Sequence, residues 1–224
     1  MHSSSVWHMR DCLERYLAER PPGTVLEVGC NSRVPEYRHL FQEIGWTYVG
    51  ADLDEGPDVD VVLRDPYSWE IESDKFDAIV SGSMLEHNEM FWLSFVEMYR
   101  VLVPGGLMIH VAPSRGHEHW GPSDCWRFYR DGMRAVAQWA GFECLEATTD
   151  WSASDLAVLT RKRQKQPGWK PPPTRFPDST WGDTVGVFRK PTGGQRPEVA
   201  LRYARKMLDH WGEADSAEPA ARRA

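Results

Sequence analysis

Between Ser114 and Phe128 the chain reads SRGHEHWGPSDCWRF, a polar stretch in which His117 and His119 flank Glu118, with Asp124, Trp126 and Arg127 close behind. An imidazole near neutral pH can take the proton that a hydroxyl loses as its oxygen becomes a nucleophile. His117 and His119 are therefore candidate general bases. Together with Asp124 they are also candidate ligands for a divalent metal ion such as Mg2+, which would lower the pKa of a bound hydroxyl; a lone His-x-His is a weak metal signal, because loop histidines are common. Trp120 and Trp126 beside Asp124 and Arg127 suit a sugar ring stacked on an indole, its hydroxyls held by polar neighbours. The competing role for such aromatics is to anchor an irregular loop to the core.

Two further groups of residues sit where short apolar runs end. Val25-Leu26-Glu27-Val28-Gly29-Cys30-Asn31 reads as a buried strand breaking into a tight turn, and Tyr48-Val49-Gly50-Ala51 reads as a second strand ending on Asp52, 25 residues beyond Glu27. In an open parallel α/β sheet, ligands bind at the carboxyl ends of strands, and an acid ending the second strand suits the hydroxyls of a ribose. Asp58 to Asp65 reads as a third strand, Phe76 to Ser81 as a fourth, Pro104-Gly105-Gly106 as the turn before a fifth, and Ala140-Gly141-Phe142-Glu143 as the entry to a sixth.

In that order, over residues 20 to 162, these signals resemble the class I S-adenosylmethionine-dependent methyltransferases. The resemblance implies that Glu27, Gly29, Cys30 and Asn31 face the amino-acid part of S-adenosylmethionine. It also implies that Asp52 takes the ribose diol, that Leu53 packs on adenine, and that Asp65, followed by Pro66, accepts from the adenine amine. For Asp52 and Asp65 the plainer alternative is a turn acid. The segment Ser81 to His87 would line the floor beneath the methyl group, with Glu86 and His87 as site candidates; otherwise they are a helix-start acid and an exposed histidine. The chain departs from the family at the second and third glycines of its first motif, where Asn31 and Arg33 stand. A dinucleotide-dependent oxidoreductase would want G-x-G-x-x-G there, and no glycine occurs between Gly29 and Gly45. The stretch after the fifth strand is similar to bacterial methyltransferases of polysaccharide biosynthesis that cap methylmannose chains at the 1-hydroxyl, which implies a sugar acceptor. Small-molecule or lipid O-methylation, or a cofactor-poor scaffold subunit, are the alternative functions.

Composition bounds the rest. With 26 basic and 33 acidic residues in 224, the net charge is −7, a poor match to nucleic acid, whose binding depends on neutralising phosphates. Cys12, Cys30, Cys125 and Cys144 show no paired short spacing, and no leader is evident, so a reduced, cytoplasmic setting is expected. No apolar run approaches the roughly 18 residues that span a bilayer.

The elements that must position these residues follow from periodicity. Apolar residues at Val6, Met9, Leu13, Tyr16 and Leu17 predict an amphipathic helix over 6–19 that packs on the sheet. Helical stretches over 35–44, 89–103 and 129–139 alternate with the strands, which implies right-handed βαβ units and a doubly wound, mostly parallel, seven-stranded α/β sheet. The last two strands are expected as a hairpin of 144–149 and 155–161, closing a cofactor-binding domain at 1–162. Seven prolines over 163–197 predict an extended arm, followed by a helix over 198–211 and a disordered tail over 213–224. An arm with exposed Trp169 and Trp181 suggests a homodimer.

Overall fold

The computed structural model describes residues 3–31, 36–119 and 123–193. Helix α1 (Ser3–Tyr16) leads into strand β1 (Thr24–Val28), helix α2 (Glu36–Glu43), β2 (Thr47–Asp52), the short β3 (Val61–Val62) and β4 (Phe76–Gly82). After a 3-10 turn at Leu85–His87 come α3 (Phe91–Val101), β5 (Leu102–Arg115), α4 (Arg130–Ala140), β6 (Glu143–Thr149), α5 (Ala153–Arg163) and β7 (Gly182–Arg189). The seven strands form one sheet in the order β3-β2-β1-β4-β5-β7-β6. The first five are parallel, and β7 runs antiparallel to both of its neighbours.

Strand alternation builds two apolar layers. On one face, Val25, Tyr48, Ala78, Val80, Ile109 and Val187 meet Met9, Leu13 and Leu17 of α1 and Tyr37 and Phe41 of α2. On the other, Leu26, Ile79, Met108 and Phe188 meet Phe95 and Met98 of α3 and Met133 and Ala137 of α4. Residues one apart in a strand point to opposite faces, so β1 serves both cores through Val25 and Leu26. The doubly wound sheet and the packing of the first helix on it are as the sequence implies.

One expectation is overturned. Residues 155–161 are not a strand; they belong to α5, whose Ser152 side chain accepts from the Asp155 N–H while Asp155 takes the Ser152 hydroxyl at 2.6 Å, a local cap that starts a helix. The seventh strand comes from inside the proline-rich stretch, as Gly182–Arg189, and inserts between β5 and β6. The sheet therefore does not close at residue 162. The predicted helix over 198–211, the tail, Arg33 and Trp120 lie outside the described residues.

Candidate active site

Strand order reverses between β1, which pairs with β2 on one side, and β4 on the other. A crevice forms where the connections leave such neighbours in opposite directions. There the structure has a cavity of about 540 Å³, within the range that holds small molecules. It is lined by Gly29 and Asn31 after β1, Asp52, Leu53 and Asp54 at the end of β2, Leu63, Pro66, Tyr67 and Trp69 after β3, and Ser83, Met84, His87, Asn88 and Glu89 after β4, with Ser94 and Ser123.

The first turn is shaped by Gly29, with φ of 81° and N–H donated to the Ala51 carbonyl. Asp52 then ties two strand ends together: Oδ2 accepts the Asn31 N–H at 2.9 Å and Oδ1 the Leu53 N–H at 2.7 Å. Leu53 is 51% exposed, an apolar side chain offered beside the cavity. The opposite wall is cross-linked through Ser94, which accepts from Asn88 at 2.7 Å and donates to the Pro66 carbonyl at 3.0 Å.

Other predicted cofactor residues lie behind this lining. Glu27 is buried and accepts from the Tyr48 hydroxyl; burial pushes its carboxyl up to about 7. Cys30 is buried, its thiol 3.5 Å from the Asp58 carbonyl and pushed up to about 12 by burial and then by Glu27 and Asp52. Ser81 is buried against His110 Nδ1 at 2.5 Å. Asp65 is an exposed turn acid accepting the Tyr67 N–H at 2.7 Å, while Pro66 lines the cavity.

Glu86 and His87 sit at the floor. His87 lines the cavity, and its Nδ1 contacts the Ser123 carbonyl oxygen. A carbonyl only accepts, so Nδ1 is the donor in this contact and Nε2 is the ring nitrogen left on the side of Glu86. Glu86 is 1% exposed; its Oε1 lies 3.8 Å from His87 Nε2 and its Oε2 has no partner among the described residues. Burial pushes the Glu86 carboxyl up to about 8, against the lowering effect of its own backbone N–H and Arg127. His119 joins this pair: its ring meets that of His87 edge-on at 5.0 Å, and donor atoms of Glu86, His87 and His119 lie within 4.8 Å of one another.

The insert after β5 crosses this floor, the Cys125 N–H bonding the Glu86 carbonyl at 2.7 Å. Asp124 is its buckle. It takes Arg127 on both oxygens, at 2.5 and 2.7 Å, and the His119 N–H at 2.9 Å, and the guanidinium holds its carboxyl well below the usual carboxylate range. Trp126 donates to the Asn88 and Glu89 carbonyls. His117 is exposed, packs on Trp181 with ring centres 4.8 Å apart, and gives its carbonyl to Arg127. His117, His119 and Asp124 thus do not form a common metal-ligand set; the cluster that forms is Glu86, His87 and His119. Lining residues missed by sequence reasoning include Tyr67 and Trp69, legible as aromatics within three residues of Pro66, and Asn88.

A model of a methyltransferase domain matches residues 8–160. The chain belongs to this family. Solved structures place the same fold around it. A putative methyltransferase from Bacillus halodurans is 16% identical, with a TM-score of 0.56 over 83% of this chain and 100% of that one. An S-adenosylmethionine-dependent methyltransferase from Archaeoglobus fulgidus is 15% identical, with a TM-score of 0.56 over 83% and 95%. Phosphoethanolamine N-methyltransferase 2 of Haemonchus contortus is 16% identical, with a TM-score of 0.54, and this methyltransferase spans 53% of its length. At such identities the likeness is one of fold. A comparison with curated proteins finds no match. Among the described residues no helix is long and apolar enough to cross a membrane.

Proposed function

We propose that this methyltransferase moves the methyl group of S-adenosylmethionine to a hydroxyl oxygen, with His87 as the proton acceptor. The observation that carries the reading is the His87–Ser123 contact, which commits Nδ1 of a cavity-lining ring to a carbonyl and leaves Nε2, 3.8 Å from Glu86 Oε1, as the nitrogen for a proton. The residues present fit the cofactor: an acid and an exposed leucine at the end of β2, and a tight glycine turn after β1. When bound, S-adenosylmethionine supplies an electrophilic methyl whose C–S electron pair leaves with the sulfur. With the cofactor bound, the cavity residues would hold the acceptor hydroxyl and His87 Nε2 would take its proton. Glu86, kept neutral near pH 7 by burial, leaves the imidazole free of a competing ion pair.

A sugar hydroxyl is our reading of the acceptor, with the 1-hydroxyl of a mannoside first in line because an anomeric hydroxyl is the most acidic on a sugar. Its support is the position of Trp126, whose indole N–H bonds the backbone carbonyls of Asn88 and Glu89 and so holds an aromatic ring next to two cavity-lining residues. Asn88 Oδ1 is buried without a partner among the described residues, an acceptor ready for a hydroxyl. A homodimer joined through the segment between α5 and β7 belongs to the same proposal, and a monomer by light scattering rejects it.

The test is calorimetric titration with S-adenosylhomocysteine, then an acceptor screen starting from short mannosides. Binding that weakens at least tenfold in Asp52→Ala supports the cofactor site. Absence of binding overturns the reading, and methylation of amines or thiols alone overturns the hydroxyl acceptor.

A further inference from the structure

Away from the cavity, three polar side chains from distant parts of the sequence meet in the interior. His8 of α1, Asp150 just past β6 and Asp183 in β7 are 9%, 6% and 1% exposed, with one ligand-capable atom of each within 4.8 Å of the others. His8 Nε2 lies 2.6 Å from Asp150 Oδ2, and the Ser4 hydroxyl donates to Asp183 Oδ2 at 2.6 Å. Asp150 Oδ1 takes the Arg175 N–H at 3.0 Å. Asp183 Oδ1 is buried with no partner among the described residues.

Two buried carboxylates and one imidazole thus share one spot, and one carboxylate oxygen there is left without a partner among the described residues. Arg115 acts on both carboxylates at a distance, but its hydrogen bonds go to the carbonyls of Asp150, Phe176 and Ser179. A buried charge is tolerated when it is paired or coordinates a metal.

We propose that His8, Asp150 and Asp183 are the ligands of one divalent transition-metal ion, Zn2+ in the first instance, with the Ser4 hydroxyl or a water in the fourth position. One imidazole nitrogen and two carboxylates match a four-coordinate Zn2+ site; Mg2+ prefers an octahedral shell of oxygens and sheds water reluctantly. With bonds of about 2.0–2.1 Å, tetrahedral ligand atoms stand about 3.3 Å apart, so His8 and Asp150 part by about 0.7 Å on loading. Around the three side chains, the Arg175 N–H holds Asp150, and Trp7 and Phe176 set their rings edge-on to His8 at 5.2 and 5.6 Å. Such outer groups fix ligand geometry and exclude water. The ion would staple α1 to the end of β6 and the start of β7. This inference does not rest on the acceptor reading.

The experiment is a calorimetric Zn2+ titration of the full chain after chelator treatment, beside Asp183→Asn and His119→Gln. One equivalent is expected in the unmutated chain, weakened at least about 100-fold by Asp183→Asn and retained by His119→Gln, which alters the cluster at the cavity floor instead. No binding, binding that survives Asp183→Asn, or binding lost in His119→Gln overturns the proposal. Co2+ loaded into the unmutated chain gives a readout that needs no variant. Visible bands of a four-coordinate site are expected, and the spectrum of the hydrated ion alone overturns the assignment.

Discussion

His87 and Ser123 hold each other by two reciprocal contacts: the imidazole Nδ1 meets the Ser123 carbonyl oxygen, and the Ser123 hydroxyl donates to the His87 carbonyl at 3.1 Å. The pair clamps the insert after β5 onto the turn after β4 and engages the imidazole Nδ1. General-base catalysis is worth roughly 10²–10⁴-fold, so His87→Gln is expected to lower turnover by at least ~10²-fold. S-adenosylhomocysteine affinity should stay within about threefold, because the removed group acts on the acceptor's proton. His117→Ala, at an exposed ring packed on Trp181, should leave turnover within a few-fold. Steady-state kinetics on the two variants decide it; a fully active His87→Gln removes His87 from the mechanism.

Glu86 gives a pH signature of stability. Its folded carboxyl is pushed up to about 8 by burial, whereas an unfolded chain ionises near pH 4.5. Below the unfolded value both states are neutral and the group weakens nothing. As pH rises from about 4.5 to about 8 the unfolded chain ionises first, so stability falls across that window and levels off above it. Glu86→Gln removes this loss, and Glu27, pushed up to about 7, remains in both proteins and cancels. The variant should therefore gain on the parent by on the order of 1–3 kcal/mol between pH 5 and pH 8.5. Denaturant unfolding at the two pH values measures it, and an equal difference at both would mean that Glu86 ionises normally in the fold.

Gly29 has no room for a methyl group. Its φ is 81°, and a Cβ there would stand 2.5 Å from Met84 Cγ and 2.7 Å from Met84 Cβ. A left-handed backbone costs a non-glycine residue roughly 1–2 kcal/mol, and Met84 lines the same cavity. Gly29→Ala is expected to destabilise by ~2–4 kcal/mol and to weaken S-adenosylhomocysteine binding more than tenfold. Native affinity in this variant would show that the turn takes no part in holding the cofactor.

How legible the molecule was depends on whether a residue's role is local. The strand ends at Gly29 and Asp52 follow from short-range patterns, apolar runs closing on turn residues, and both line the cavity. The seventh strand was not legible. GDTVGVFR lies after a run of prolines and carries Gly186, which reads as loop; in the sheet Gly186 leaves space for the ring of Phe188, whose Cζ would be 2.5 Å from a Cβ there. Residues 155–161 carry strand-like apolar spacing, yet none of α5 is buried, so the Ser152 cap rather than core packing decides their form. At the site, what sets His87 apart from His117 is the contact with the Ser123 carbonyl, 36 residues distant in sequence and not readable from local pattern. Asp124, read as an acceptor ligand, has both carboxylate oxygens engaged within the insert, whereas Arg127, read the same way, keeps Nε without a partner among the described residues.

The Asp124–Arg127 pair is where that reading separates from a structural one. The Asp124 side chain is 2% exposed and that of Arg127 22%, and removal of one partner of a buried pair leaves an uncompensated charge, a loss of up to 3–5 kcal/mol when both are fully buried. Arg127 reaches solvent, so Arg127→Ala should cost ~1–3 kcal/mol, and Asp124→Asn in the same chain should restore part of it by neutralising the stranded carboxylate. Because Arg127 holds the carboxyl below the usual range, this stabilisation is present above about pH 4 and is lost as pH falls through the lowered folded value. A double-mutant cycle in denaturant at pH 7 reads the coupling. S-adenosylhomocysteine affinity should be unchanged, since Asp52 and Leu53 lie on the β2 side of the cavity, while turnover falls as the insert loosens from Glu86. Zero coupling with intact stability and a raised KM for the acceptor would instead assign Arg127 to the substrate.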